Sequence, residues 1–133
     1  MIHKNNIAFQ LTTTSGWILI GVLVSIVFHY PLIISSFNYY PGDEGDSRFV
    51  AFILEHIFRW FSNQSTFGSP SFFYPATGTL GVSDAHLLHA LVFSIIRIFE
   101  DSILKSFSIS IFVLNTFTYF ISFCFISSLV CIF

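Results

Sequence analysis

Charged residues are scarce in this chain, and their scarcity excludes most classes of soluble protein. Of the 133 residues only 9% are charged, whereas 54% are hydrophobic and 20% are aromatic. A soluble domain carries about 25% charged residues. The composition therefore excludes an intrinsically disordered chain, a basic nucleic-acid binder and most soluble enzymes. It predicts an all-α membrane protein with no nucleic-acid partner.

Cysteine is scarce too, and the common catalytic motifs are missing. Cys124 and Cys131 stand seven residues apart on a predicted helix, about 10 Å along its axis, which is too far for a disulfide. The sequence contains no Gly-rich phosphate loop, no nucleophile elbow and no HExxH zinc spacing. We therefore expect His56, His86 and His89 to line a helix interface rather than to bind zinc.

Long apolar runs predict two or three transmembrane helices. The first span covers 17–36 after an N-tail of 1–16, and it is favoured over a cleaved signal peptide because no small-residue cleavage site follows it. Residues 85–99 form a second span or a helix lying at the membrane interface. Residues 107–133 form a third span that ends at the last residue without a polar flank. We expect that the chain is truncated and that further transmembrane helices come from a longer chain or a partner.

Basic residues indicate how the chain is oriented. Lys4 in the N-tail, with Arg97 and Lys105 around the connection 100–106, gives three basic residues on one side. Arg48 and Arg59 give two in the loop 37–84 on the other side. Because basic residues favour the cytoplasmic side, the sequence predicts a cytoplasmic N-tail and connection and an external first loop.

The first loop holds most of the residues that could carry chemistry. It contains five of the seven acidic residues, five of the seven glycines and three of the four prolines. Apolar residues at three- and four-residue steps predict an amphipathic juxtamembrane helix over about 47–61, with Asp46 at its start. Asp43 and Asp46 could act as a general base on a hydroxyl group or hold a divalent cation, Mg or Mn. The alternative is that Asp46 caps the helix and Asp43 belongs to a turn.

Four further charged residues are candidates for binding a substrate. Arg48 could contact a phosphate, as could Arg59, and Glu55 and Asp84 are candidate substrate-binding residues. The structural alternative is that Glu55 pairs with Arg59 four residues later on the same helix face. Asp84 would then be an N-cap of the second predicted helix.

The loop resembles the first external loop of a known family of enzymes. Its motifs are Gly42-Asp43-Glu44-Gly45-Asp46-Ser47-Arg48-Phe49, Leu54-Glu55-His56, Phe72-Phe73-Tyr74-Pro75 and Ser83-Asp84. They are similar to the N-terminal part of GT-C fold glycosyltransferases, such as the catalytic subunits of oligosaccharyltransferases. They are most similar to a group of large bacterial multi-span membrane proteins.

The resemblance implies a transferase of the bacterial cytoplasmic membrane that takes a sugar from a polyprenyl-phosphate-linked donor. It implies that Asp46 orients or deprotonates the acceptor, that Asp43 binds a metal or the acceptor, and that Arg48 contacts the donor phosphate. The later spans of such enzymes are absent from these residues, so we expect the isolated chain to be inactive. The alternative hypothesis is a non-catalytic membrane protein: a subunit, a transporter fragment or a gene remnant.

Overall fold

The structure is a computed structural model that describes residues 16–71, 74–81 and 86–130. Within these residues every regular element is helical and no strand occurs, so the predicted all-α class is confirmed. The N-tail with Lys4, the candidate residue Asp84 and the last three residues lie outside the described residues. The elements are α1 (Gly16–Phe28), α2 (Tyr30–Ile34), α3 (Glu44–Phe61), a 3-10 turn (Thr79–Gly81), α4 (Leu87–Arg97) and α5 (Ile103–Val130).

The first predicted span, 17–36, is helical but interrupted at His29. Pro31 stands in the first turn of α2, where its missing N–H breaks no helical hydrogen bond. Backbone bonds from His29 N–H to Ser25 O and from Ile33 N–H to His29 O, both 3.0 Å, keep the chain helical on either side. After α2, Ser36 and Phe37 take positive φ values of 52° and 61° and turn the chain away.

Helix α1 packs antiparallel against α5. Trp17 at one end contacts Phe123, with ring centroids 5.8 Å apart, and two turns further along the Ser25 hydroxyl lies 2.8 Å from the Thr116 hydroxyl. The residue numbers rise in one helix as they fall in the other, so the two helices run in opposite directions.

The interface between α1 and α5 is close and partly polar. A Cβ placed on Gly21 would lie 2.9 Å from the Tyr119 ring, so glycine permits the close approach of the helices. The buried ring of His29 donates from Nδ1 to Ser25 O and accepts from the Asn115 amide through Nε2, at 2.9 and 3.3 Å. Small residues and hydrogen-bonded polar side chains of this kind are typical of helix pairs in membranes.

The hydrophobic core lies where α3, α4 and the first half of α5 meet. Leu54, Ile57, Ala90 and Phe93 have no exposed surface. Burying an apolar side chain of this size contributes about 1.5–3 kcal/mol, so the packing of this core, rather than helix propensity, fixes the arrangement of the three helices. The full set of buried apolar residues is Ala51, Ile53, Leu54, Ile57, Leu80, Ala90, Phe93 and Phe107.

Helix α3 begins at Glu44, three residues before the predicted start near Ser47, because Asp43 caps it. The Asp43 carboxylate accepts hydrogen bonds from the Gly45 and Asp46 N–H groups at 2.8 and 3.2 Å. The structural alternative considered for the acidic turn is therefore reversed: Asp43 is the N-cap, and Asp46 lies in the first turn of the helix. Both roles place negative charge at the positive end of the helix dipole.

Helix α3 ends in a Schellman motif. Asn63 takes a positive φ of 57°, Gln64 N–H donates to Arg59 O at 2.8 Å, and Asn63 N–H donates to Trp60 O at 2.9 Å. These two bonds satisfy carbonyl groups that the helix end leaves open. The chain is thereby turned back along α3, where it forms one wall of the cavity described below.

Helix α4 is too short to cross a bilayer. It runs from Leu87 to Arg97 instead of 85–99, because His86 before it has a left-handed φ of 44°. Its 11 residues extend about 16 Å, whereas the hydrocarbon layer is about 30 Å thick. Among the described residues one helix is long and apolar enough to span a membrane, the Ile103–Phe125 part of α5.

The connection between α4 and α5 lies beside α3, whereas the sequence predicts that a membrane separates this connection from the first loop. Arg97 Nε donates to Glu55 Oε2 of α3 at 3.0 Å, and the Ser108 hydroxyl donates to Tyr39 O. Arg97 at the end of α4 is thereby joined to α3, and Ser108 in the first part of α5 is joined to the loop before α3.

Helix α5 starts at Ile103, four residues earlier than the predicted span, because the connection caps it. Ser102 Oγ accepts from Lys105 N–H at 3.4 Å, and Glu100 Oε1 accepts from Ser102 N–H at 3.0 Å. The Ser106 hydroxyl also donates to Glu100 O at 3.2 Å. These bonds join the polar connection to the first turn of the long apolar helix.

Candidate functional site

A cavity of about 520 Å³ runs along one face of α3. Arg48, Glu55 and Arg59 line it from the helix, and they stand seven and four residues apart. At 3.6 residues per turn these steps keep the three side chains on one side of the helix. The opposite wall is the chain that follows α3, which supplies the polar side chains of Gln64, Ser65, Thr66, Ser69 and Ser71.

The cavity touches the first residue of the long apolar helix. Ile103, where α5 begins, is among its lining residues, and Tyr40 lines it from the loop before α3. The Tyr40 ring in turn packs on Phe107 of α5, with centroids 5.7 Å apart. The cavity is therefore held at the polar end of α5.

Glu55 is the buried charge at the centre of this site. The residue is only 7% exposed, and each of its carboxylate oxygens has an arginine partner. Oε1 accepts from Arg59 Nε at 3.2 Å and Oε2 accepts from Arg97 Nε at 3.0 Å. The pairing of Glu55 with Arg59 was expected from their spacing on one helix. The pairing of Glu55 with Arg97 was not expected, because no local spacing relates these two residues.

Arg97 is the functional residue that sequence reasoning missed. It is 42 residues from Glu55, and its predicted place was across the membrane. Its side chain is 15% exposed, donates from Nη1 to Glu100 O at 2.8 Å and lies over the Phe58 ring at 5.6 Å. An arginine at the end of an apolar helix can equally well extend its charged group into water, so the residue types alone do not indicate this contact.

His56 fixes the wall of the cavity opposite α3. Its Nε2 donates to Thr66 O at 3.0 Å and to Phe67 O at 3.2 Å, while its own carbonyl accepts from the Ser65 hydroxyl at 3.2 Å. Because both partners of Nε2 are carbonyl oxygens, the ring proton is on Nε2. The ring thus holds the polar loop in place.

Arg48 is held more loosely than Glu55 and Arg97. It pairs with Glu44 at 3.1 Å, and the two side chains are 65% and 70% exposed. Its guanidinium also lies 5.9 Å from the centre of the Tyr40 ring. An exposed pair of this kind contributes less than about 1 kcal/mol, so a ligand with a stronger negative charge can displace Glu44.

The two aspartates predicted as catalytic lie away from the cavity. Asp46 stands two residues before Arg48, about 200° around the helix, and neither Asp46 nor Asp43 is among the lining residues. One carboxylate oxygen of Asp43 is occupied by the cap. The structure therefore brings together Arg48 and Glu55 of the predicted site, but not the two aspartates.

The described residues contain no group of three or more His, Cys, Asp or Glu side chains that could hold a metal ion. Asp43 and Asp46 are thus at most two ligands, and one oxygen of Asp43 already accepts two backbone hydrogen bonds. Mg²⁺ is commonly bound through one or two carboxylates together with waters and substrate phosphates, so a cation at the two aspartates stays a prediction.

His89 lines the interface between α4 and α5, as the sequence predicts for this histidine. Its Nε2 donates to the Ser110 hydroxyl at 2.7 Å, and its ring stacks on Phe107. The Ser110 hydroxyl in turn donates a hydrogen bond to Phe107 O at 2.7 Å. Burial, together with the neighbouring His86, lowers the pKa of His89 from 6.5 to about 4, so the ring is neutral at pH 7.

Comparisons of the chain with protein-family models, with curated proteins and with solved structures gave no match.

Proposed function

We propose that the chain is a membrane-embedded module in which α1 together with α2, and also α5, cross the bilayer, while α3 and α4 lie together on one side. The exposure of α5 supports this arrangement, because only 17% of its most apolar window is buried. The core helix of a soluble protein would be mostly covered. Val27 and Phe28 of α1, each 73% exposed, extend the same apolar surface, which lipid or further transmembrane helices would cover.

The position of the cavity suggests what it binds. The cavity reaches Ile103, the first residue of the candidate span, so in this arrangement it lies at the depth of the lipid phosphate groups. Arg48 and Arg59 offer guanidinium groups, which suit phosphate oxygens, and hydroxyl and amide groups line the facing wall. This coincidence of arginines, sugar-compatible polar groups and the membrane surface is the observation that carries the proposal.

The function we infer is binding of a polyprenyl-phosphate-linked sugar, as part of a GT-C-like glycosyltransferase of a bacterial cytoplasmic membrane. Arg48 and Arg59 hold the donor phosphate. Asp46 orients or deprotonates the acceptor, with Asp43 beside it, and further helices supply the rest of the active site. The activity and the external location of the cavity are supported by the resemblance of residues 42–49 to the first loop of these enzymes.

Binding and transfer are tested with separate variants. Arg48→Gln with Arg59→Gln should weaken binding of a polyprenyl-phosphate sugar by roughly a hundredfold, because each charged hydrogen bond contributes about 1.5–3 kcal/mol. Asp46→Asn, made in the full-length gene product, should abolish sugar transfer but leave donor binding unchanged. Unchanged transfer by that variant would sink the catalytic role of Asp46.

A second candidate is a non-catalytic membrane subunit, and the positions of the aspartates favour it. Asp43 caps α3 and Asp46 lies on the side of the helix away from the cavity. In that case the arginine-lined cavity binds a lipid phosphate but the protein does not catalyse a reaction on it. Donor binding that depends on the arginines, together with transfer that is insensitive to Asp46→Asn, would identify this function.

A further inference from the structure

The two arginines that share Glu55 are held very differently. Arg97 is 15% exposed and has three fixed contacts: the carboxylate, the Glu100 carbonyl and the Phe58 ring. Arg59 is 56% exposed, lines the cavity and is held by the other carboxylate oxygen. Arg97 is therefore part of the packed structure, whereas Arg59 can turn toward a ligand.

The charges of this cluster do not cancel. Glu55 carries one negative charge between two arginines, so the three side chains together have a net charge of +1. Arg97 alone satisfies the charge of Glu55, and the charge of Arg59 is left over at the cavity. A ligand with an anionic group would balance it.

We propose that Arg97 is a positioning residue that neutralises Glu55 and thereby releases Arg59 to bind the phosphate of a lipid-linked ligand. This inference rests on the proposed function, because it takes Arg59 as a phosphate-binding residue and adds Arg97 as the residue that keeps Arg59 available. Phosphate binding breaks the Arg59 to Glu55 hydrogen bond, and Glu55 keeps its partner Arg97. Arg97 itself does not line the cavity and does not touch the phosphate.

The loss of Arg97 has a specific consequence in this scheme. Without it, the buried carboxylate has one cation within reach, and Arg59 can take both of its oxygens in a bidentate pair. The net charge of the cluster falls from +1 to 0. The phosphate then has to compete with a buried carboxylate for the same guanidinium group.

The test measures binding of farnesyl phosphate to the full chain in nanodiscs of neutral lipid by calorimetry, with farnesol as the uncharged control. Wild-type protein should bind farnesyl phosphate and not farnesol. Arg59→Gln and Arg97→Gln should each weaken binding by roughly tenfold or more. The double variant Glu55→Gln with Arg97→Gln should return to within about threefold of wild type, because Arg59 is then free of any carboxylate.

The double variant separates positioning from a merely structural role, and it guards against misfolding. It removes both partners of the buried pair, which is far less disruptive than removing one. Adding Arg59→Gln to it should again cost about tenfold. Unchanged affinity in folded Arg97→Gln, or a double variant as weak as Arg97→Gln, would overturn the role of Arg97.

Failure of the proposed function has a different signature. If wild-type protein binds neither farnesyl phosphate nor inorganic phosphate, the cavity is not an anion site, and both proposals fall. If equimolar inorganic phosphate displaces farnesyl phosphate, the lipid part of the proposed ligand is wrong. If wild type binds and only the role of Arg97 is refuted, the proposed function stands.

Discussion

Removing the charge of Glu55 should destabilise the fold far more than removing a similar charge on the same helix. Glu55→Gln keeps the size and shape of the side chain but leaves Arg97, which is only 15% exposed, without its anion. Breaking a buried pair by removing one partner costs about 3–5 kcal/mol. Arg97 keeps the Glu100 carbonyl and the Phe58 ring, so we expect a loss at the lower end of this range, about 3 kcal/mol.

Glu44→Gln is the matched control. It makes the same chemical change eleven residues earlier on α3, in a pair whose side chains are 65% and 70% exposed. Such a pair contributes about 0.5 kcal/mol or less. The free energies of unfolding are measured in mixed micelles by circular dichroism as SDS is added. A loss in Glu55→Gln no larger than in Glu44→Gln would refute the argument that the Glu55–Arg97 contact is buried and holds α3 to α4.

Three further predictions use other parts of the molecule. The pKa of His89 is about 4 in the folded chain and 6.5 in the unfolded chain, so the unfolded chain binds a proton more readily between these pH values. The free energy of unfolding should therefore fall by about 1–2 kcal/mol as the pH drops from 6.5 to 4, allowing for the partial exposure of the ring. The free energy of unfolding of His89→Gln should lack this pH dependence. Asp43→Ala should cost about 1 kcal/mol through loss of the cap, whereas Asp46→Ala should cost less than half of that by the same measurement. A cysteine introduced by Ser62→Cys, at the exposed C-cap of α3, should react with a membrane-impermeant maleimide on intact cells if the cavity is external; labelling only after permeabilisation would place α3 in the cytoplasm.

Much of the structure of α3 can be predicted from the sequence, because it depends on residues that are close together in the chain. The steps of three and four residues predict the helix and its apolar face, and they also place Glu55 next to Arg59. The start of the helix was predicted too late because several acidic residues in a row compete for the cap. Which of Asp43 and Asp46 accepts the backbone hydrogen bonds depends on the φ and ψ angles of the turn, which the residue types do not specify.

The path of the chain after α3 is not specified by the sequence. The apolar run at 85–99 looks the same whether it crosses a bilayer or folds back onto α3. His86, with its left-handed conformation, shortens the helix to 11 residues, and Arg97 finds its partner on α3 instead of in water. The orientation inferred from basic residues stays a prediction, and it depends on where Arg97 and Lys105 lie.

The sequence by itself determined the helical class, the long apolar helix and the face of α3 that carries Arg48, Glu55 and Arg59. These follow from hydrophobicity and from the period of the helix, which act over a few residues. Only the tertiary structure decided that Arg97 completes the site, and that the cavity opens at the first residue of α5. Contacts between residues 42 positions apart depend on how the core of α3, α4 and α5 packs, and no local pattern encodes that packing.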